Sequence, residues 1–585
     1  MQRAIGQANP EMEGRNYGGR NPITGIALPK LCLKVAQSIM PLALQRAQLN
    51  KLPNFTEVLP RRCMSATKQR QWLQTRKISV GELESRKDGR ERVVVLGSGW
   101  AGYTAAQNLD PKKYQAVIVS PRSYFVFTPL LASTSVGTLE FRTALEPVRN
   151  RRSRLSFFQG WADSVDFNKR EITIEEAVDD PHQGLTLTTE RHAGESPQER
   201  EKEKKVEAQK GQLFTISYDK LIIAVGCYSQ TFNTPGIKEN ALFLKDVGDA
   251  RKIRKRLLAC FETASLPTTS DEMKRQLLRF VVVGGGPTGI EFSAEMHDII
   301  KEDLARIYPE LMPFYSIAVY DVAPRVLSMF DEKLAKYAMG RFAREGIEIK
   351  TSHHVQELRR GFPGPEKGNQ SIRDPLTCFT VKVKEEGELG VGMVVWSTGL
   401  MMNPFVEHAM SKVQSFPRMH MRYDKSQVNE VDHPQWLVRR DPKTGGIVTD
   451  DHLKLTLEPE GKGGEKPTGI LDNVFALGDC ATIEGTVYPA TAQVASQKAE
   501  WLAARLNKGD LEAKPFKWKN LGVMAYVGGW NAIMQSGGGG NISGRTAWLV
   551  WRGAYLVKSI SWRNRLLIPI YWFINWVFGR DISRF

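Results

Sequence analysis

The 585-residue chain lacks the features that mark several large classes of protein. Its six cysteines include no CxxC pair, which excludes a disulfide framework or a cysteine-rich zinc site and fits a reducing compartment. No stretch reaches the ~20 apolar residues that span a bilayer. The longest apolar run near the C-terminus, Leu566–Phe578, is interrupted by Pro569. No EF-hand calcium-loop pattern occurs, and we expect no metal site.

Acidic residues are scarce at both ends of the chain. Residues 1–80 hold 13 Lys and Arg against 3 Asp and Glu, and residues 514–585 hold 10 against 1. Because the whole chain carries a net charge of +17, the body between the ends is close to neutral. A nucleic-acid groove would put its positive charge on the folded body, so we expect no nucleic-acid partner. Basic ends instead indicate targeting or membrane contact.

The first 85 residues are rich in Arg, Lys, Leu, Gln and Ala, which is the composition of a mitochondrial transit peptide. Met40–Arg62 fits that description best, since it contains a single acidic residue, Glu57. A disordered basic tail is the alternative interpretation.

A β-branched run beginning at Arg92 leads into glycines at G-x-G-x-x-G spacing. An Ala- and Gln-rich helix and a second strand, Ala116–Ser120, follow. In this context the glycines allow backbone to approach a pyrophosphate, and the helix N-terminus supplies N–H donors. The glycines of this first turn are Gly97, Gly99 and Gly102.

The second strand ends in Ser120, where dinucleotide folds often carry an acid. Serine can still hydrogen-bond a ribose, and Arg122 could contact adenine or phosphate.

A second copy of the pattern begins at Phe280 and predicts a second nucleotide. A long helix from Glu291 to about Leu311 and the strand Ser316–Tyr320 come next, and the strand leads to Asp321. An acid there accepts hydrogen bonds from a ribose 2′-hydroxyl and repels a 2′-phosphate, which favours NADH over NADPH. The glycines of this second turn are Gly284, Gly286 and Gly289.

A third signal, Asp472–Ala481, is a short strand that delivers Gly478 and Asp479 ahead of a helix over Ala490–Leu506. Two further strand-to-turn crossings carry Gly226 and Gly399, where small residues suit close backbone approach to a cofactor.

These motifs, in this order, resemble the two-dinucleotide-binding flavoproteins over roughly residues 92–506. The resemblance implies an α/β fold with two Rossmann-like domains, the NADH domain inserted in the FAD domain, and a C-terminal amphipathic helical segment for membrane binding. The expected division is a targeting segment (1–85), the first part of the FAD domain (90–260), the NADH domain (275–400), the second part of the FAD domain with a polar insertion (401–513) and the membrane-anchoring segment (514–585).

The helix after the first glycine turn carries no cysteine, so a dithiol relay like that of disulfide reductases is not expected, and a diffusible acceptor is. Four segments resemble type II NADH dehydrogenases (alternative NADH:ubiquinone oxidoreductases) of the mitochondrial, fungal kind. They are Tyr124–Leu131, Pro489–Gln497, Gly528–Ile533 and Phe578–Phe585.

This resemblance implies a role for each candidate residue. Thr128 and Pro129 would lie near the isoalloxazine. Gln493 and Gln497, which share a helix face, would line a quinone tunnel with Tyr526 beside it. Hydrogen bonding at the helix N-terminus is the alternative for the glutamines. Glu291 would serve NADH or deliver protons near the quinone. The remaining FAD residues would be Gly97, Gly99, Gly102, Ser120, Arg122, Gly226, Gly478 and Asp479, and the remaining NADH residues Gly284, Gly286, Gly289, Asp321 and Gly399.

The expected activity is rotenone-insensitive, non-pumping oxidation of NADH by ubiquinone through FAD. A reductase of a protein acceptor such as ferredoxin, or a signalling or assembly protein that retains FAD structurally, are the alternatives.

Trp548, Trp551 and Tyr555 share a helical face, and Trp572 and Trp576 lie one turn apart, which favours a helix lying in the membrane interface. A helix pair docked on the protein's own core or on a second subunit is the alternative, and a homodimer is expected. We expect peripheral attachment to the mitochondrial inner membrane, on its matrix face, because residues 28–47 are only weakly apolar.

Overall fold

The computed structural model describes residues 80–150, 154–178, 184–187, 211–364, 378–412, 416, 418–422, 435–460, 468–559 and 561–584. The targeting segment predicted over residues 1–85 therefore lies outside the described residues except for the helix Val80–Ser85. That helix packs against the folded body, since Leu83 is buried and its carbonyl oxygen accepts a hydrogen bond from Gln115 Nε2 at 2.8 Å. The folded body thus begins ahead of residue 90.

Five parallel strands form the centre of the first sheet, which has 12 strands among the described residues. Val93, Val94 and Val95 are fully buried, as expected for a parallel strand covered on both faces. The chain leaves this sheet and later returns to it, because Gly469–Ala476 lies beside Lys220–Ile223. The central order is Gly469–Ala476, Lys220–Ile223, Glu91–Leu96, Tyr114–Ser120 and Ser156–Asp166.

Further strands extend the first sheet at both edges. One edge adds Glu171–Glu176 and Leu213–Ser217. The other adds Lys454–Pro459, Ile447–Thr449 and Ala481–Ile483, with Met421–Arg422 and Trp436–Val438 pairing alongside. Tyr124–Val126 and Leu145–Pro147 form a separate pair.

The second sheet is parallel and inserted between the two parts of the first, which confirms the predicted fold class. It begins earlier than residue 275, because Leu242–Phe243 pairs with Met393–Trp396 and the following helix, Val247–Ala264, contributes to the same core. The strand order is Leu242–Phe243, Met393–Trp396, Arg279–Val283, Ser316–Asp321 and Ile347–Thr351. An antiparallel sheet of Val355–Arg360, Phe379–Val383 and Gly387–Val391 adjoins it in sequence.

Two short antiparallel strands, Cys227–Ser229 and Leu400–Met402, form where the chain crosses between the sheets. These crossings carry Gly226 and Gly399, both with positive φ.

The helix after the second glycine turn is not the single long helix predicted. The α-helix Pro287–Ile299 continues as one π turn, Ile300–Leu304, then as Ala305–Ile307 and the 3₁₀ helix Pro309–Phe314. Pro309 and Pro313 lack the N–H that an α-helix requires, which explains the break.

The other helices occupy the connections and the C-terminal part of the chain. Those of the two dinucleotide-binding regions are Trp100–Asn108, Leu131–Ser135, Ile237–Asn240, Asp271–Leu277, Glu332–Glu345, Pro404–Ala409 and Ala492–Lys508, with 3₁₀ turns at Thr128–Leu130, Phe141–Ala144, Arg418–His420 and Leu511–Ala513. The C-terminal part contains the antiparallel strands Val523–Tyr526, Ala532–Gln535 and Asn541–Gly544, then the first terminal helix, Arg545–Lys558, and the second terminal helix, Trp562–Phe578.

The first terminal helix corrects one prediction. Trp548 and Trp551 are buried in the core shared with the second sheet, and Tyr555 packs against it, so this aromatic face covers protein rather than lipid. The second terminal helix has an exposed apolar stripe instead. Its members recur every three or four positions: Trp562, Leu566, Ile570, Phe573 and Val577. Among the described residues, no helix is both long and apolar enough to cross a membrane.

Candidate functional site

A cavity of about 1290 Å³ lies where the two sheets and the C-terminal part of the chain meet. Its walls include the first glycine turn, the N-terminal part of the second glycine helix, and the N-terminus of Ala492–Lys508. Val557 and Lys558 of the first terminal helix complete one side. Most predicted site residues line it: Gly97, Gly99, Ser120, Arg122, Thr128, Pro129, Gly226, Glu291, Gly399, Gly478, Asp479, Gln493 and Gln497.

The first glycine turn has the geometry of a pyrophosphate cradle. Gly97 has φ +109°, and a Cβ there would lie 2.3 Å from the carbonyl oxygen of Ala224. A Cβ at Gly102 would lie 2.1 Å from the carbonyl oxygen of Gly97, which explains the third glycine as a packing requirement. Gly99 caps the helix without a side chain and has open space beside it. Free helix N–H groups and an empty Cβ position fit a phosphate group of a dinucleotide such as FAD.

The predicted contacts at Ser120 and Arg122 already have protein partners. Ser120 Oγ lies 2.9 Å from Ser98 Oγ, and Arg122 Nη1 donates to Asp246 Oδ2 at 2.6 Å. Asp246 is buried and also lines the cavity, although no sequence motif indicated it. Arg122 therefore reaches the cavity as one half of an ion pair.

Thr128 and Asp479 lie on other walls of the same cavity. Thr128 Oγ1 accepts a hydrogen bond from Trp100 Nε1 at 3.0 Å, which fixes the turn that begins the Leu131–Ser135 helix. Burial raises the pKa of Asp479, although the positive charges of Lys245 and Lys498 oppose the shift. A buried carboxylate that gains hydrogen bonds from a polyol would recover part of its lost solvation.

Cys227 lines the cavity, which the sequence did not indicate. Its thiol donates to the carbonyl oxygen of Asp479, and burial raises its pKa to about 12. A thiol held so firmly protonated is a poor nucleophile. Among the described residues, the other cysteines are buried and free, so the cavity wall offers no reactive thiolate pair.

The second glycine turn repeats the geometry of the first. Gly284 has φ +117°, and a Cβ at Gly289 would lie 2.0 Å from the carbonyl oxygen of Gly284. Gly286 caps the helix with open space beside it. Asp321 accepts a hydrogen bond from the backbone N–H of Gly285 at 2.5 Å, so its carboxylate lies against the turn. These residues do not line the cavity, but Pro287, Thr288 and Glu291 of the same helix do.

The two glutamines line the cavity and also hold the segment that follows their helix. Gln493 Oε1 accepts from Trp518 Nε1 at 3.1 Å and from the Leu521 N–H at 3.0 Å. Gln497 exchanges two hydrogen bonds with the backbone of Lys519, each 2.9 Å long. The amide groups of both glutamines therefore hydrogen-bond backbone groups of residues 519–522, and not the backbone at the N-terminus of their own helix.

Glu291 is a buried carboxyl group at the edge of the cavity. One of its oxygens accepts from the Tyr526 N–H at 3.0 Å and from Trp551 Nε1 at 3.1 Å. Burial raises its pKa to about 8, and these two hydrogen bonds oppose the shift. A carboxyl group with a pKa near neutrality can exchange a proton under physiological conditions.

Tyr526 lies behind Glu291 and is not among the residues that line the cavity, in contrast to its predicted place beside the glutamines. Its ring stacks on Trp551, and its hydroxyl donates to Asp298. Two further buried acids, Glu295 and Asp298, were not predicted. Their spacing of four and seven residues from Glu291 was visible in the sequence, and it places all three on one helix face.

Asp450, Asp451 and His452 bring three donor atoms within 4.8 Å of one another, but none of them lines the cavity. Asp450 accepts the backbone N–H groups of His452 and Lys454, which is the hydrogen bonding of a tight turn.

Two sheets with parallel central strands, each with a glycine turn at a helix N-terminus, define a protein of the two-dinucleotide-binding class. Residues 91–433 match the pyridine nucleotide-disulphide oxidoreductase family, and residues 520–581 match the NDH2 C-terminal domain.

Curated relatives include an NADH dehydrogenase and several alternative NAD(P)H-ubiquinone oxidoreductases. A "probable NADH dehydrogenase" of Dictyostelium discoideum is 34% identical and covers 85% of this chain and 91% of its own length. The internal alternative NAD(P)H-ubiquinone oxidoreductase A1 of Solanum tuberosum mitochondria is 32% identical, covering 86% of this chain and 90% of its own. The chain belongs to the type II, or alternative, NADH dehydrogenase family.

A solved structure shows the same fold at lower identity. The structure of NDH2 from Plasmodium falciparum in complex with NADH has a TM-score of 0.64 and 22% identity, and it covers 84% of this chain and all of that one.

Proposed function

We propose that this chain is an FAD-dependent NADH:ubiquinone oxidoreductase that does not pump protons. The observation that carries the proposal is the continuity of the cavity. One space runs from the first glycine turn, past Thr128 and Pro129, to Gln493, Gln497 and the first terminal helix. Membership of the alternative NADH dehydrogenases and the C-terminal domain match favour a quinone over a protein acceptor such as ferredoxin.

The first dinucleotide-binding region holds FAD, which when bound supplies hydride acceptance from NADH and two-electron delivery to the quinone. Gly97 and Gly99 leave room for the pyrophosphate beside the helix N-terminus, and Gly102 permits the close packing behind it. Asp479, on the cavity wall, would accept hydrogen bonds from hydroxyl groups of the cofactor's ribityl chain. Ser120 and Arg122 close the adenosine side, with Asp246 fixing the guanidinium. Gly226 and Gly478 keep the backbone near the cofactor.

The second dinucleotide-binding region holds NADH. Gly284, Gly286 and Gly289 form its pyrophosphate turn, with Gly399 at the crossing that faces the cavity. Asp321 would accept hydrogen bonds from the adenosine ribose hydroxyls and would repel a 2′-phosphate, which favours NADH as the donor.

Ubiquinone reaches the cavity along the wall formed by Gln493 and Gln497. Because their amides bind residues 519–522, they shape this wall, and they contact the quinone through the faces of their side chains. Glu291 supplies a proton, since its carboxyl group is protonated near neutral pH. Tyr526 acts through Glu291, whose carboxylate oxygen its backbone N–H holds in place.

The second terminal helix attaches the enzyme to the surface of the mitochondrial inner membrane. Its exposed apolar stripe runs from Trp562 to Val577, and Arg563 and Arg565 in the first turn of the same helix suit anionic lipid headgroups. We place the enzyme on the matrix face, which protease protection in intact against ruptured mitochondria tests.

We also propose a homodimer. Light scattering in detergent should give a protein mass twice that of the chain. A mass equal to one chain would contradict the dimer and would make lipid the partner of the apolar stripe.

The activity itself is tested by offering two acceptors to the FAD-loaded protein. NADH oxidation with a soluble ubiquinone analogue should turn over, whereas ferredoxin should give no rate above background. If ferredoxin is reduced and the quinone is not, the proposal is wrong.

A further inference from the structure

The helix Pro287–Ile299 presents a buried acid to the first dinucleotide-binding region. Glu295 is only 4% exposed, and both of its carboxylate oxygens are occupied. Oε1 accepts from Ser133 Oγ and Oε2 from Thr138 Oγ1, each at 2.7 Å. Buried charge is tolerated in proteins only where such bonds replace water.

These two bonds join the two halves of the proposed site. Glu295 lies two turns along the helix that begins at the second glycine turn. Ser133 lies in the helix Leu131–Ser135, which directly follows Thr128 and Pro129 on the cavity wall. The distance between the NADH-binding helix and the flavin-binding wall is therefore set partly by one carboxylate. Glu295 itself does not line the cavity.

Residues near the C-terminus stabilise this joint, the pair of hydrogen bonds that Ser133 and Thr138 donate to Glu295. Arg580 Nε donates to Thr138 Oγ1 at 3.0 Å, while Nη1 pairs with Glu302 at 2.8 Å and Asp303 at 2.6 Å. Burial raises the pKa of Glu295, and the positive charge of Arg580 opposes that shift.

Asn575, in the second terminal helix, also holds the segment that contains Thr138. Its amide donates to the backbone carbonyl oxygens of Gly137 and Thr138 at 3.0 and 2.9 Å. Thr138 is thus held from both sides, by Glu295 and by the last turns of the chain.

We propose that Glu295, braced by Arg580 through Thr138, is a positioning residue that sets the approach of NADH to FAD. The inference rests on the proposed function, since it assigns a role in that reaction. Transfer between two bound cofactors depends steeply on their separation, and a displacement of about 1 Å can cost about 100-fold in rate.

A matched pair at Thr138 tests the role with little change of volume. Thr138→Val removes the hydroxyl that links Glu295 to Arg580, and Thr138→Ser retains it. Glu295→Gln is the companion, because an amide has one acceptor oxygen where the carboxylate has two, so it can accept from only one of the Ser133 and Thr138 hydroxyls. Glu345→Gln is the control, since Glu345 forms ion pairs with Lys301 and Arg341 within the second region.

The first readout is anaerobic bleaching of the flavin absorbance by NADH, normalised to bound FAD. Thr138→Val and Glu295→Gln should slow it about 10- to 100-fold, while Thr138→Ser and Glu345→Gln stay within about threefold. Reoxidation by the ubiquinone analogue and the apparent Kd for NADH should change by less than about threefold in all four variants.

The second readout does not depend on turnover. Backbone amides of Leu131–Ser135 should exchange with deuterium about tenfold faster in Thr138→Val and Glu295→Gln, with or without FAD, and at the wild-type rate in the control.

Wild-type bleaching per bound FAD in Thr138→Val would overturn the inference, even if the variant melts earlier or retains less FAD. If Glu295→Gln does not fold, the Thr138 pair decides alone. If the wild-type protein itself is not bleached by NADH, the proposed function fails instead, and the exchange measurement still shows whether the joint exists.

Discussion

The two glycine helices begin alike and are covered differently. Trp100–Asn108 starts at the first turn, carries small apolar residues and packs against Ala492–Lys508. Pro287–Ile299 starts at a turn of the same geometry, but one face carries buried acids that the C-terminal part of the chain covers. The shared turn is what a dinucleotide requires, and the differing faces show where each helix takes part in further chemistry. The first helix packs into a hydrophobic core, whereas the acids of the second helix hydrogen-bond Ser133, Thr138 and the C-terminal part of the chain.

Substitutions in the two glycine turns should have the most severe consequences for cofactor binding. Gly102→Ala and Gly289→Ala each bring a Cβ to 2.1 or 2.0 Å from a carbonyl oxygen, which we expect to cost about 3 kcal/mol or more. Because the turns serve different nucleotides, Gly102→Ala should release FAD, whereas Gly289→Ala should keep FAD and lose NADH binding. FAD content after gel filtration and NADH titration measure this. Equal loss of FAD from both variants would break the proposed division.

The cover over the second helix is tested at two tryptophans. Trp551 is 4% exposed and donates to Glu291, so Trp551→Ala should lower the free energy of unfolding by about 3–5 kcal/mol. Trp576 is 68% exposed on the second terminal helix, so Trp576→Ala should change it by less than about 0.5 kcal/mol.

Sedimentation with anionic vesicles separates the two tryptophans further. Trp576→Ala should weaken sedimentation, since its side chain is available to lipid. Unchanged sedimentation of Trp576→Ala would argue against a lipid contact at that position.

The buried acid at the cavity gives the second helix a dependence on pH that the first lacks. The folded carboxyl group of Glu291 has a pKa of about 8, against 4.5 for an ordinary glutamate. The folded state therefore binds more protons than the unfolded state between these values, and stability falls as pH rises through that window. The amide of Glu291→Gln does not titrate in this range. Between pH 4.5 and 8, the free energy of unfolding of this variant should therefore rise by a few kcal/mol relative to that of the wild type. Urea unfolding across the pH range measures it, and parallel curves would refute the raised pKa.

The strand ends beyond the two turns provide the smallest effect. The first region has Ser120 where the second has Asp321. Asp321→Ser copies the first region into the second, and removal of the repelling charge should shift the kcat/KM ratio of NADPH to NADH upward about 10- to 100-fold. The Ser120 hydroxyl lies within hydrogen-bonding distance of Ser98, so Ser120→Ala should leave the NADPH to NADH ratio unchanged. An unaltered ratio in Asp321→Ser would remove Asp321 from the nucleotide site.

Much of this arrangement was predictable from local sequence. Glycine spacing after β-branched runs identified both turns and the inserted second region, because backbone approach to phosphate needs glycine at fixed offsets. The aromatic helices were harder to predict, since Trp548 and Trp576 both lie among apolar residues with an arginine four positions further on, and only the packed fold distinguishes a core face from an exposed one. Contacts distant in sequence, such as Arg122 with Asp246 and Arg580 with Thr138, follow from the folded chain and leave no local pattern.

Reduction and reoxidation of the bound flavin would decide whether the chain passes electrons from NADH to ubiquinone. FAD-loaded protein is mixed anaerobically with one equivalent of NADH and then with one equivalent of a soluble ubiquinone analogue. We expect the flavin absorbance to be bleached by NADH and fully restored by the quinone, with one quinol formed per NADH consumed. Flavin that is bleached but stays reduced in the presence of the quinone would contradict it.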